Sequence, residues 1–244
     1  MYSKLDKLRT TLYRQQFVPT SFVSALYDPG FLIHYAQSKQ IKSHAKSFVG
    51  LILDFGCGSK PYESLFVNRT EYIGLDTDLS EHNHGKSNID IIYDGKAIPF
   101  ASDHFDNIVL FDVIEHLEDL DFSIGEMFRV LRRGGRVMGT VPFNFPLHES
   151  PQDFRRFSIY GLDLFLTRHG FVKVHNEKVL NGYASLIQTL ISSHFEGGKG
   201  TSQLLKRLLL SPLLLLLNFF GLFLSLLKKP KTLYTSNFFI YEKP

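Results

Sequence analysis

Two glycines that follow an acidic residue form the part of this sequence best suited to binding a ligand. The apolar run 51–53 ends in Asp54, and Gly56 and Gly58 come next, separated by one position. An apolar run of this kind predicts a buried parallel strand. Glycine permits strained backbone angles and lets a ligand approach the main chain closely. The stretch therefore predicts a strand that ends in a tight, ligand-binding turn.

The residues after the glycines predict the start of a helix. Ser59 would cap this helix, and Pro61 would fit its first turn, where the missing N–H costs nothing. The backbone amides left free there would form an anion site, as in open α/β sheets that hold nucleotide-like ligands. A dinucleotide-binding turn prefers a third small residue at the position of Pro61, which disfavours NAD.

A second acidic position follows about 20 residues later, the distance at which a carboxylate meets the ribose of a bound nucleotide. The short apolar run 72–75 ends in Asp76 and Thr77. Asp76 is therefore a candidate acceptor for two ribose hydroxyls. The alternative interpretation is that Asp76 only begins a turn.

Together with two later stretches, these segments resemble the class I S-adenosylmethionine-dependent methyltransferases of small-molecule type (methyltransferase type 11-like). The stretches that carry the resemblance are LILDFGCGSKP, YIGLDTD, DGKAIPFASDHFDNIVLFDVIEHLED and EMFRVLRRGGRVMGTVPF. The resemblance implies S-adenosylmethionine as cofactor, with Asp54, Gly56 and Gly58 around its methionine end. Asp76 would then hold the ribose and Asp94 the adenine amino group. The full set of cofactor-binding residues that it implies is Asp54, Gly56, Cys57, Gly58, Asp76, Thr77, Asp94, Gly95, Phe111 and Asp112.

Strands alternate with helices along the chain, which predicts an α/β fold with a doubly wound, Rossmann-like, mostly parallel sheet of seven strands. Beyond the two strands already described, strands are expected at 89–94, 105–111, 136–142, 171–179 and 236–242, and helices at 31–48, 122–131 and 158–169. Arginines and glycines at 132–135 are expected to end the second of these helices. The resemblance implies that the seventh strand is antiparallel and hairpinned against the sixth.

The expected domains are an N-terminal helical cap over 1–48, a cofactor-binding domain over 49–180 and 233–244, and a hydrophobic helical insertion over 181–232. In methyltransferases of this class, helices ahead of the first strand often cover the active site. The alternative is that the helix over 31–48 only packs on the edge of the sheet.

Two histidines are candidates for a catalytic base. A sulfonium methyl group is already electrophilic, so catalysis consists mainly of aligning a nucleophile in a dry pocket, with a base where the nucleophile is a hydroxyl. His148 lies in the proline-bracketed loop after the fifth strand and is the first choice, with His116 after the fourth strand as the second. The alternatives are that His116 orients the cofactor and that His148 caps a turn.

Charged residues of the same loop are candidates for binding the acceptor. They are Glu149, Asp153, Arg155 and Arg156. The two arginines would bind a carboxylate or phosphate of the acceptor in bidentate fashion. The alternative is that one of them pairs with Asp153 and fixes the loop.

The run 204–227 is almost entirely leucine and phenylalanine and has basic residues at both ends. About 20 apolar residues are enough to span a bilayer. A span would separate the last strand from its sheet, and Pro212, Asn218 and Gly221 interrupt the run, so contact with one leaflet is the favoured interpretation. The alternative is a helical pair buried in a homodimer.

Composition limits the remaining classes of function. The net charge of +3 and the pI near 8.8 are too mild to indicate a nucleic-acid partner. The single cysteine fits a reducing compartment, and no Cys/His cluster suggests a metal. The start of the chain lacks the apolar stretch of a secretory signal, so we expect a cytoplasmic protein, peripheral on the inner face of the cytoplasmic membrane.

Two classes of function remain from the sequence. The first is a methyltransferase that acts on a small-molecule acceptor at a membrane, such as a glycan, a quinone-like ring or a lipid-linked sugar. The second is a catalytically silent protein that keeps the cofactor site and serves as a scaffold on a membrane.

Overall fold

A seven-stranded sheet forms the framework of the protein. The structure is a computed structural model and describes residues 17–18, 22–26, 28–77, 89–195, 209–227 and 232–244. Most of residues 1–21 of the expected N-terminal cap, and residues 204–208 of the apolar run, lie outside these ranges. The strands are β1 (Gly50–Phe55), β2 (Arg69–Thr77), β3 (Ile91–Tyr93), β4 (Phe105–Phe111), β5 (Leu131–Pro142), β6 (Val172–Asn181) and β7 (Tyr234–Glu242).

The first five strands are parallel, and the last two complete a mixed sheet. The order across the sheet is β3-β2-β1-β4-β5-β7-β6, and β1 pairs in parallel with both β2 and β4. At the start of β5, the Gly134 amide donates to the Lys243 carbonyl over 2.7 Å and the Lys243 amide donates to the Gly135 carbonyl over 3.0 Å. The start of β5 therefore lies beside the end of β7, which confirms the expected antiparallel last strand.

The α-helices are α1 (Phe31–Ala45), α2 (Leu120–Val130), α3 (Ile159–Arg168), α4 (Tyr183–Phe195) and α5 (Ser211–Ser225). Short polar side chains cap the N-termini of two of these helices. The Asp119 carboxylate accepts from the Phe122 amide at the start of α2, and the Ser158 hydroxyl accepts from the Gly161 amide at the start of α3. These caps satisfy amides that a helix itself leaves unpaired.

The predicted helix after the glycines is wrong. A three-residue 3₁₀ turn, Glu63–Leu65, stands in its place, with Tyr62 rather than Ser59 at the N-cap position. Lys60 has a φ of 55°, which an α-helix of L-residues does not accommodate. The chain therefore forms no helical N-terminus that could bind an anion there.

The predicted boundary before the fifth strand is also wrong. Helix α2 ends at Val130, and β5 begins at once with Leu131, five residues before the expected start. The register of β5 against β4 is irregular between Phe105 and Asn107. A side chain at Gly135 would come within 2.7 Å of the Asp106 carbonyl oxygen. Gly134 and Gly135 therefore belong to an irregular stretch inside β5 and do not end helix α2.

The described residues group into two compact units. The sheet unit comprises residues 41–143, 149–177 and 237–244, and the helical unit comprises the described residues within 17–40, 144–148 and 178–236. In the sheet unit, apolar side chains of the central strands pack against one face of α2. Ile108 and Leu110 of β4 and Ile124 and Met127 of α2 belong to this core. In the helical unit, α4 and α5 pack together, with Ile191 and Leu214 buried between them.

Helix α5 forms most of the described part of the apolar run 204–227. It has 15 residues and contains no charged side chain. Among the residues that the structure describes, no helix is both long and apolar enough to cross a membrane.

Candidate functional site

The carboxyl ends of β1, β2 and β4 lie next to one another in register. Asp54 at the end of β1 stands opposite Gly74 in β2 and Val109 in β4. Ligands of open parallel sheets bind at this edge. The residues that follow these strands are therefore brought together by the sheet itself.

The loop after β1 is folded back on β2 by its own backbone. Gly56 and Gly58 have φ values of 70° and 48°, which are readily accessible only to glycine. The amides of Gly56 and Cys57 both donate to the Leu75 carbonyl, over 2.8 and 3.2 Å. A side chain at Gly56 would lie 2.7 Å from the methyl groups of Val113. The two glycines thus allow a turn that is fixed on both sides.

Asp76 lies directly beside this turn. One carboxylate oxygen accepts from the Gly58 amide over 2.8 Å, and the other accepts from the Thr77 amide over 2.8 Å. The side chain is half-buried. Backbone amides therefore hold this carboxylate at the carboxyl end of β2, next to the glycine loop.

Asp54 is buried and accepts a hydrogen bond from the Tyr72 hydroxyl over 2.8 Å. Burial raises the pKa of Asp54 to about 7, although the hydrogen bond from Tyr72 and the nearby charge of Lys60 both act to lower it. Burial likewise raises the pKa of Tyr72 well above its usual value. Asp54 is therefore a buried carboxyl group that is hydrogen-bonded to Tyr72 and has a pKa near neutrality.

An ion pair that the sequence did not reveal lies beside the glycine loop, between the buried side chain of Lys60 and the exposed side chain of Asp90. The ammonium group of Lys60 contacts a carboxylate oxygen of Asp90, and the same oxygen accepts from the Gly74 amide over 2.7 Å. A side chain at Gly74 would lie 2.2 Å from Lys60 Cε and 2.7 Å from Cys57 Sγ. Lysine and aspartate are 30 positions apart, and their contact depends on how β2 lies beside the loop.

Cys57 is a buried thiol within the loop. Burial and the nearby carboxylates of Asp54 and Asp76 raise its pKa well above the usual range. A thiol with a raised pKa is a poor nucleophile at neutral pH. The structure therefore favours its interpretation as a small loop residue.

The remaining expected cofactor residues lie in two further loops. Asp94 and Gly95, after β3, are exposed, and the Asp94 carboxylate accepts from the Lys96 amide over 3.0 Å. At the end of β4, the ring of Phe111 meets the edge of Tyr62 at 4.6 Å between centroids. Asp112 accepts from the Thr140 hydroxyl over 2.9 Å. That these residues bind a cofactor stays a prediction.

The stretch 149–157 of the loop after β5 is attached to the loop after β4. His116 Nδ1 donates to the Gln152 carbonyl over 2.8 Å, and the Phe154 amide donates to the Glu115 carbonyl over 3.0 Å. A neutral His116 that donates through Nδ1 carries its basic lone pair on Nε2. Nε2 lies 3.8 Å from a carboxylate oxygen of Glu115, whose side chain is buried.

Both arginines of this loop form hydrogen bonds within the sheet unit. The guanidinium of Arg156 forms a bidentate pair with the buried carboxylate of Asp153, which raises the pKa of Arg156. Arg155 donates to the backbone carbonyls of Leu117 and Glu118. The structure thus contains the pairing with Asp153 that the sequence offered as the alternative to acceptor binding, and an acceptor-binding role for these residues stays a prediction.

The last two candidates lie at the start of the same loop. Glu149 is exposed and has a φ of 53°. His148 belongs to the helical unit, where its ring meets the edge of Phe145 at 5.4 Å between centroids. A catalytic role for His148 or His116 stays a prediction.

Residues 53–139, which include the glycine loop and strands β2 to β4, match the family described as "Methyltransferase domain". The chain contains a class I S-adenosylmethionine-dependent methyltransferase domain. This domain is similar to two curated proteins. Over 67 residues it is 31% identical to the ubiquinone/menaquinone biosynthesis C-methyltransferase UbiE of Psychromonas ingrahamii, and over 96 residues it is 34% identical to a probable S-adenosylmethionine-dependent methyltransferase of Mycolicibacterium smegmatis.

These alignments cover only part of each protein. The first covers 28% of this chain and 26% of the relative, and the second covers 37% of both. A solved structure that resembles the whole chain is that of an S-adenosylmethionine-dependent methyltransferase from Archaeoglobus fulgidus, with a TM-score of 0.52 and 14% identity over 96% of this chain and 99% of that one. At this identity the likeness supports the fold of the methyltransferase domain and not its acceptor.

Proposed function

We propose that this protein transfers a methyl group from S-adenosylmethionine to a small-molecule acceptor. The observation that carries the proposal is the position of Asp76. Its carboxylate is held by backbone amides beside the Gly56–Gly58 turn, at the carboxyl end of β2. A half-buried carboxylate at this place is suited to accept from a ribose diol.

The donors and acceptors around the turn fit S-adenosylmethionine. The cofactor carries a sulfonium and an ammonium group, and carboxylates of Asp54, Asp76 and Asp112 lie at the ends of adjacent strands. Asp94 and Gly95 stand after β3, where an adenine would extend from a ribose held by Asp76. When bound, the cofactor supplies an electrophilic methyl group, so the protein has mainly to orient the acceptor and exclude water.

A base is required only where the acceptor is a weakly acidic hydroxyl. His116 suits this role because its Nδ1 donates to the Gln152 carbonyl, which leaves Nε2 as the basic nitrogen of the neutral ring. His148 is the other candidate for the base. Replacing the operative histidine by glutamine is expected to lower kcat by about 10²–10⁴-fold.

We also propose that the acceptor is met at a membrane, by a protein that is cytoplasmic and peripheral. A quinone-like ring, a lipid-linked sugar or another glycan would suit a loop rich in aromatic and basic residues. The name of the relative from Psychromonas ingrahamii places that protein in ubiquinone and menaquinone biosynthesis, which supports a quinone-like ring as the first acceptor to test.

The proposal is tested by calorimetric binding of S-adenosylhomocysteine to the wild type, to Asp76→Asn and to Glu71→Gln. Glu71 is the matched control, since it is an exposed acid at the opposite end of the same strand. We expect tight binding by the wild type and by the control, and a loss of about 100-fold in Asp76→Asn because two strong hydrogen bonds to the ribose are weakened. Folded wild type that does not bind would refute the proposal. Binding without transfer to any acceptor from labelled cofactor would instead favour the silent scaffold.

A further inference from the structure

Helix α5 buries one side within the helical unit. Leu214 packs with Ile191 of α4. The side-chain amide of Asn218 donates to the Ala25 carbonyl over 2.9 Å, and a side chain added at Gly221 would lie 2.4 Å from Leu32 Cδ1. Asn218 and Gly221, two of the three residues that interrupt the apolar run in the sequence, therefore face the rest of the helical unit.

The opposite side of α5 is apolar and exposed. We call it the leucine–phenylalanine face; it consists of Leu213, Leu216, Phe220 and Phe223 of α5, together with Leu227, which lies two residues beyond the end of the helix. Each of these side chains is between 43% and 65% exposed. They recur at steps of three and four residues, so they lie along one side of the helix. Large apolar side chains exposed in a row along one side of a helix favour an interaction site there.

The charge of the surrounding sequence indicates what this face meets. Between residues 197 and 241 the chain has six basic residues and no acidic one; they are Lys199, Lys206, Arg207, Lys228, Lys229 and Lys231. Two of them follow Leu227 directly. An apolar helix face flanked by lysine and arginine is the pattern of helices that lie in the interface of a membrane with anionic lipids.

A second copy of the chain fits this face less well. Two copies would bring like charges together, which opposes association. A 15-residue helix is about 22 Å long, so a stripe roughly 10 Å wide offers roughly 200 Å². A stable dimer needs about 800 Å² from each partner.

We propose that the leucine–phenylalanine face of α5 enters the interface of an anionic bilayer, with the helix parallel to the membrane plane. The side chains of Phe220 and Phe223 then lie among the acyl chains, and the positive charge of the flanking sequence favours anionic headgroups. The helix contacts one leaflet and does not cross the bilayer. This inference concerns where the protein works and does not rest on methyl transfer.

The full chain contains no tryptophan, which permits a direct test. Phe220→Trp places a single tryptophan on the face, and Tyr160→Trp places one on α3 at a side chain that is 79% exposed. Each variant is mixed with vesicles of phosphatidylcholine alone or with one third phosphatidylserine. We expect the emission of the tryptophan at 220 to shift to the blue and to be quenched by brominated lipid with the anionic vesicles, while that at 160 does not change.

Sedimentation with the same vesicles gives a second, independent readout. Phe220→Glu is expected to lower binding to the anionic vesicles by about tenfold or more, whereas the matched charge-adding control Leu164→Glu on α3 binds like the wild type. Thermal unfolding and binding of S-adenosylhomocysteine confirm that both variants are folded. Wild type that stays in the supernatant, or a tryptophan at 220 that remains unquenched, would overturn the proposal. Loss of a dimer in Phe220→Glu without any binding to vesicles would assign the face to a second copy of the chain.

Discussion

The carboxylates near β1 and β2 and the carboxylate in the loop after β5 are held in different ways. Asp54 and Asp76 accept hydrogen bonds from neutral donors, namely the Tyr72 hydroxyl and backbone amides. Asp153 instead pairs with the guanidinium of Arg156 in a bidentate arrangement. Both regions lie in the sheet unit: Asp54 and Asp76 stand at the carboxyl ends of β1 and β2, and Asp153 lies in the loop after β5.

The difference indicates which carboxylates are suited to a ligand. A neutral donor fixes the position of a carboxylate without cancelling its charge, whereas an arginine at contact distance cancels it. The carboxylate of Asp76 is therefore suited to a hydroxyl-bearing cofactor, and the buried Asp54 adds negative charge beside it only near and above pH 7. The pair of Asp153 and Arg156 fits a structural role, in which the loop after β5 is kept in place beside the loop after β4.

The largest expected effect comes from Asp54→Asn, measured as stability against pH. Because the pKa of Asp54 is about 7 in the folded protein and near 4 in the unfolded chain, the folded state binds the proton more tightly. Its contribution to stability is therefore full below pH 4 and falls as pH rises from about 4 to about 7, by roughly 4 kcal/mol. Denaturant unfolding should show this fall in the wild type and its absence in Asp54→Asn.

The Tyr72→Phe variant sharpens this test. Without the hydroxyl donor, the pKa of Asp54 should rise further, so the decline in stability should extend above pH 7. The contrary result is a difference in unfolding free energy between wild type and Asp54→Asn that stays constant from pH 4 to pH 8. It would mean that Asp54 is ionised in the folded protein throughout.

The next effect tests whether Asp153 is structural. Asp153→Asn leaves the partly buried Arg156 without its charged partner and should cost about 2–3 kcal/mol of stability, below the range for fully buried pairs because Arg156 is 21% exposed. The control Lys173→Met breaks the exposed pair with Asp163 and should cost at most about 1 kcal/mol. Unchanged stability with a raised KM for the acceptor would instead place Asp153 in the acceptor site.

The smallest of the three effects concerns the support of the glycine loop. Gly74→Ala introduces a methyl group against Cys57 and the anchored side chain of Lys60, and overpacking of this kind should cost about 1–3 kcal/mol. Gly125→Ala is the control, because nothing lies within 4 Å of the added methyl group and the position is inside α2. There we expect a gain of about 0.5–1 kcal/mol, measured by chemical unfolding. An equal change in unfolding free energy in the two variants would show that the glycine loop accommodates the added methyl group.

Much of the sheet could be predicted from the sequence, because its central strands are apolar runs with polar residues at their ends. The fourth strand was predicted at 105–111 and is Phe105–Phe111 in the structure. The glycine turn after the first strand was likewise predicted from residue types and spacing, whereas a ribose-binding role for Asp76 stays a prediction. The features that were predicted correctly depend on neighbours within a few positions of the chain.

The features that were missed depend on tertiary contacts. The predicted helix after the glycines does not form where Lys60 adopts a left-handed backbone and its side chain reaches Asp90, 30 positions away. The side of α5 that faces its own unit also could not be assigned from the sequence. Asn218 donates to the Ala25 carbonyl and Gly221 lies against Leu32, and both partners are far away along the chain. Local propensity favours one structure at such places, and distant partners select another.

The most direct test of the proposed cofactor site is hydrogen–deuterium exchange of the wild-type protein with and without S-adenosylhomocysteine. We expect the ligand to slow exchange in peptides covering residues 54–60 and 72–77, whose amides form the turn and hold Asp76. Peptides covering 149–157 should exchange at the same rate in both samples. Protection confined to 149–157, with none at the glycine turn, would contradict the assignment of the cofactor to this edge of the sheet.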